Sequence, residues 1–169
     1  MARWRDPGGS GPAQSSEPLK LDSLQRAVLS PQIEAFLDAV RDPEGQALYR
    51  TLKAAVDEGE VPSEMAERLG AIVEVALSSG RIRRLFGPGA QLSLNSLYKK
   101  TPQGLQLESS IDSLNRALCE LGGNRVESIA AAVRSPGDYA LTIKTDSAQL
   151  TIRFEKEGVR LETVEVGSG

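Results

Sequence analysis

The sequence contains no histidine. Histidine is the side chain that titrates nearest neutrality and the commonest general base. Ser-His-Asp and Cys-His catalytic arrangements are therefore excluded within this chain, as are zinc sites built on imidazole. The one cysteine, Cys119, excludes an intrachain disulfide, a thiolate metal cluster and iron–sulfur ligation by this chain alone. Aromatics are only 4% of the residues, so the core is expected to be Leu, Val, Ile and Ala. No apolar run approaches the ~20 residues that span a bilayer. No apolar secretion segment follows Arg3 and Arg5, and a cytoplasmic location is the matching expectation.

What is present is ordinary for a globular protein. The chain has 169 residues, 40% hydrophobic and 25% charged, with a formal net charge of −3. That length suits one domain or slightly more. Asp and Glu total 23, so carboxylate or magnesium-dependent chemistry stays open on composition. No catalytic motif, cofactor motif or metal-ligand set is recognisable.

Residues 1–18 are rich in Gly, Pro, Ser and Gln and read as a disordered leader. Trp4, the only tryptophan, sits there between Arg3 and Arg5, as a candidate docking aromatic or part of a solvated tail. Residues 19–104 read as a helical region. Leu21, Leu24, Val28 and Leu29 share one helical face. Ser30-Pro31 and Asp42-Pro43 each resemble a capped helix start, Pro62 and Ser63 open another helix, and Gly59 and Gly80 close two. Gly87-Pro88-Gly89 reads as a helix breaker. It lacks the spacing of a phosphate-binding loop and follows no predicted strand.

Residues 105–169 read as a helix followed by an antiparallel sheet, or 19–167 as one continuous domain. Leu107, Ile111, Leu114, Leu118 and Leu121 mark the helix. Cys119, beside Leu118, is expected to be buried and inert. Glu108, Asp112 and Glu120 are expected on the solvated face. After Asn124 the apolar period drops to two, as in Tyr139-Leu141-Ile143 and Leu150-Ile152-Phe154. Asp138 and Asp146 suit turns. Val159 and Leu161 then give way to Val164 and Val166 on the opposite parity, which predicts a bulge near Thr163. Residues 126–133 fit either a strand or a helix, and the turn at Ser135-Pro136-Gly137-Asp138 favours a strand. The fold class is α+β: helices first, then a helix packed on a three- or four-stranded antiparallel meander.

Charge is segregated along the chain. Residues 42–80 hold eight acids and three cations, a net of −5, while residues 81–100 hold five cations and no acid. Three readings follow for the basic segment. In the first, the acidic helices complement it inside the fold. It can bind phosphates of a nucleic acid, with Tyr98 stacking. Or it can dock another protein, because Arg, Leu and Phe are residue types that anchor interfaces. The preferred function is a non-enzymatic accessory or regulatory protein that binds another protein and can form a homodimer. Its candidate binding residues are Arg81, Arg83, Arg84, Leu85, Phe86, Tyr98, Lys99, Lys100 and Trp4. Nucleic-acid binding through 81–100 and a carboxylate or magnesium enzyme are the alternatives. An open sheet edge is the second candidate surface, with Val159–Val166 as the expected edge.

Overall fold

The computed structural model describes residues 17–155 and 158–166. Residues 1–16, including Trp4 and nearly all of the expected leader, lie outside the described residues, as do Lys156 and Glu157. Among the described residues the architecture is α+β, with five helices followed by a four-stranded antiparallel sheet and a small two-stranded ladder near the start. The chain divides into two compact units, one ending at Leu105 and the other beginning at Gln106.

The first unit starts with strand β1 (Leu19–Lys20), which pairs antiparallel with β2 (Glu60–Val61). Helix α1 (Ser23–Ala39) opens with a capping box. The Asp22 carboxylate accepts from the Gln25 amide at 2.7 Å, and the Gln25 side chain accepts from the Asp22 amide at 3.0 Å. Two donors that the helix itself cannot satisfy are paired in this way. Helix α2 (Pro43–Glu58) starts at Asp42-Pro43 and ends at Gly59 in the left-handed conformation, φ 90°. Helix α3 (Ser63–Ser78) follows Pro62, and α4 (Arg81–Tyr98) follows Gly80. Val28, Leu29 and Ile33 of α1, Leu52 and Val56 of α2, Leu69, Ile72 and Val73 of α3, and Ile82, Leu94 and Leu97 of α4 are sealed into one aliphatic core.

Two local expectations fail. Ser30-Pro31 does not begin a new helix, because Pro31 lies inside the continuous α1. The Ser30 hydroxyl donates to the Asp57 carboxylate of α2 instead of capping. Val28, Leu29 and Ile33, buried on both sides of the proline, hold the helix together across it. Leu24 is exposed rather than on the inward face.

The second unit contains helix α5 (Pro102–Glu120) from Gln106 onward and strands β3 (Val126–Ser135), β4 (Asp138–Thr145), β5 (Ala148–Glu155) and β6 (Gly158–Val166). The strands pair in chain order as an antiparallel meander. Leu114 and Ala117 of α5 bury Leu150 and Ile152 of β5, with Leu141, Ile143, Val159 and Leu161 packed around them. The anticipated bulge is present one residue early: Thr151 pairs with Thr163 and Ile152 with Leu161, which leaves Glu162 as the extra residue. Cys119 is exposed, contrary to expectation. At about 100° per residue it lies well over a quarter turn from Leu114 and Ala117, which face the sheet.

Candidate protein-interaction surface

The basic segment is carried by α4, and it begins badly by helical standards. Gly80 supplies no side-chain cap, and the first turn contains no acid. Arg81, Arg83 and Arg84 all sit at this N-terminal end, where the unpaired amides make the helix dipole positive. Three cations at that end oppose the dipole. All three are exposed. Among the described residues no carboxylate lies within salt-bridge distance of any of them. Ile82 is buried and anchors this turn, whereas Leu85 and Phe86 are 63% and 39% exposed.

Gly87 then leaves helical geometry at φ 83° and ψ 175°, a conformation that disfavours any side chain with a Cβ. Pro88 restarts the helix at a position where its missing N–H costs nothing. The expected break at Gly87-Pro88-Gly89 is therefore a kink within α4. Beyond it, Ala90, Leu94 and Leu97 face the core and Leu92 is 69% exposed.

Tyr98, Lys99 and Lys100 lie at the other end of α4, beyond the kink at Gly87. Tyr98 packs against the helical core, and its hydroxyl donates to Glu74 of α3 at 3.4 Å. Burial raises the Tyr98 pKa, and the Glu74 charge raises it further. Lys99 and Lys100 are exposed. Trp4 lies outside the described residues.

No family model, no curated protein and no solved structure matches this chain.

The sheet offers a different chemistry on each face. On its polar face Arg153 grips Asp138 with Nε and Nη2, at 3.0 and 2.6 Å, and also contacts Glu155 at 2.8 Å. Arg160 reaches Glu155 at 3.1 Å, and Arg134 reaches Glu162 at 2.8 Å. Every charge in this group has an opposite neighbour, which describes a structural ionic network. Among the described residues no group of three or more Cys, Asp or Glu side chains converges to hold a metal ion. A cleft of about 240 Å³ between α5 and the β5–β6 end of the sheet contains Glu120 as its one acid among the described residues. No helix among the described residues is long and apolar enough to cross a membrane.

The apolar face carries a signal that sequence reasoning missed. Cross-strand neighbours align as Ile129, Ile143, Leu150 and Val164, then as Ala131, Leu141, Ile152 and Leu161, then as Val133, Tyr139, Phe154 and Val159. Helix α5 covers the centre of this surface. It leaves Ile129 and Val133 of β3 at 62% and 71% exposure, and Tyr139 is also exposed. The alternation Ile129-Ala131-Val133 was available in the sequence, but the alanines concealed it.

Proposed function

We propose that this chain is a non-enzymatic cytoplasmic accessory protein that docks an acidic surface of another protein through the N-terminal half of α4. The supporting observation is the concentration of Arg81, Arg83, Arg84, Leu85 and Phe86 on one short exposed helical segment, with the arginines set against the helix dipole. A sequence selected only for stability would place acids there. Arginines flanked by exposed Leu and Phe match the composition of interface anchors, and an acidic partner supplies the charge this helix end lacks.

The test is a paired capture from native extract, with nuclease added and omitted, using the intact chain and its Arg83→Glu/Arg84→Glu variant. The intact chain is expected to retain one protein in stoichiometric amount, insensitive to nuclease, and the variant to lose it. The variant is expected to fold and to melt no lower, because each acid gained near the helix start is worth about 0.3–1 kcal/mol in the favourable direction. Undiminished capture by the variant overturns the assignment. Capture abolished by nuclease transfers the patch to nucleic-acid phosphates.

A further inference from the structure

The outer edges of the four-stranded sheet are β3 and β6. A strand edge presents a row of backbone donors and acceptors, and proteins ordinarily guard it with charges, prolines or bulges. Strand β6 is guarded. It bulges at Glu162 and carries Arg160 and Glu165 as well. Strand β3 is not. From Ser128 to Val133 it pairs with β4 without interruption, and this stretch, Ser-Ile-Ala-Ala-Ala-Val, holds no charge, proline or glycine. Every residue of β3 is exposed. The Val159–Val166 strand is an edge, as the sequence suggests, but the edge that invites pairing is β3.

We propose that β3 pairs antiparallel with β3 of a second copy of this chain, forming a closed two-fold dimer with a continuous eight-stranded sheet. Self-complementarity points to this occupant. In an antiparallel pair, residues directly opposite one another point to the same face. A two-fold axis through Ala131 sets Ile129 opposite Val133 of the partner subunit, and does so twice. Ala131 meets its own copy, and Ala130 meets Ala132 of the partner subunit. The two most exposed apolar side chains of the strand thereby cover each other. The apolar row then runs from Ile143 through Ile129 to Val133 and Tyr139 of the partner subunit.

The charges obey the same symmetry. Glu127 and Arg134 flank the uncharged stretch at opposite ends and have opposite signs. Antiparallel pairing about Ala131 brings each to the neighbourhood of the other across the axis. Each has an intrachain partner, Lys144 at 2.9 Å for Glu127 and Glu162 at 2.8 Å for Arg134, so the dimer extends two existing pairs and buries no lone charge. Centring the axis on Ala130 instead sets the Glu127 carboxylate opposite Val133, which disfavours that register. The contact is isologous and uses up both edges, so it closes at two subunits and does not propagate.

Sedimentation equilibrium of the full chain over a wide concentration range reads the outcome. The mass is expected to rise from 18.1 kDa towards twice that value. Ile129→Lys/Val133→Lys places ammonium groups opposite each other at both contacts and is expected to weaken the dimer at least about tenfold. Ile129→Glu/Val133→Glu is expected to do the same. An equal mixture of the two variants is expected to restore dimerisation, which a folding defect in either one cannot do. Cys119→Ser/Ala131→Cys, which leaves the charge unchanged, is expected to cross-link as a dimer with a short bismaleimide, and Cys119→Ser/Val164→Cys on β6 to remain single. A chain that stays monomeric, a dimer indifferent to the charged variants, aggregates larger than a dimer, or cross-linking only through β6 overturns the proposal.

Discussion

Arg153 and Asp138 illustrate what a single residue type can and cannot reveal. Asp138 occupies a turn sequence and reads as a turn former, yet its carboxylate is gripped by both Nε and Nη2 of Arg153 from the neighbouring strand. The Arg153 hydrogen bonds hold the Asp138 pKa below the ordinary carboxylate value, and the charges of Arg153, Arg134 and Arg160 add to the shift. Arg153 is shifted upward by the same contact and stays charged throughout. A carboxylate whose pKa is lowered by folding contributes stability above its unfolded pKa, ~3.9, and loses it as pH falls through the lower folded value. Asp57, held low by Lys53 and by the Ser30 hydroxyl, works in the same direction. Asp138→Asn is therefore expected to lower the melting temperature near neutrality and to flatten the acid limb of the melting profile between about pH 5 and pH 2. An unchanged acid limb would show that the Arg153 contact contributes no net stability. The pairing was not legible in advance, because the register that brings position 153 beside 138 depends on the length of the β4–β5 turn. Cys119 was misjudged for a simpler reason: adjacency to Leu118 in sequence means a rotation of about 100° on a helix.

At the level of elements, periodicity carried most of the information. The change from a helical to an alternating pattern after Asn124 marks where the sheet begins, and the parity switch between Leu161 and Val164 anticipates the bulge at Glu162. Local punctuation was less dependable. Asp42-Pro43 starts α2, whereas the near-identical Ser30-Pro31 lies within α1. Burial on both sides of Pro31 outweighs the lost hydrogen bond to the Ala27 carbonyl and the ring's steric clash. That cost remains in the folded state. Pro31→Ala is expected to stabilise the chain by about 1–2 kcal/mol, the helix gain being reduced by a looser unfolded state. Urea unfolding with an unchanged slope and a higher midpoint is the expected reading. A destabilised variant would mean that the local geometry Pro31 imposes is needed for the packing of Val28 and Ile33. The α4 kink has the opposite logic, because Gly87 and Pro88 both suit the geometry they occupy.

At the scale of the whole molecule, the sequence revealed charge segregation but not its consequence. The acidic and basic segments belong to successive helices that share one aliphatic core, and Tyr98 donates a hydrogen bond to Glu74 across them. The arginines at the start of α4 remain outside that contact. The chain-order meander leaves β3 and β6 as its two edges, and the placement of bulges and charges makes β3 the less guarded one. The two units also differ in how much they bury. The helical unit seals residues from all four of its long helices, whereas the sheet unit buries Leu114, Ala117, Leu150 and Ile152 and leaves Ile129, Val133 and Tyr139 outside. Cooperative units with fewer buried apolar contacts open at lower free energy. Amides of β4 and β5 are therefore expected to exchange with solvent faster than those at the centres of α1 and α3. Ile152→Ala removes a side chain that is fully packed in the smaller core and is expected to cost about 2–4 kcal/mol. Hydrogen exchange followed by mass spectrometry should then lose protection across residues 107–166 while peptides from α1 to α3 keep theirs. Loss spread evenly over the chain would mean that the boundary between Leu105 and Gln106, inside the continuous helix α5, does not separate two cooperative units, and that both cores melt as one.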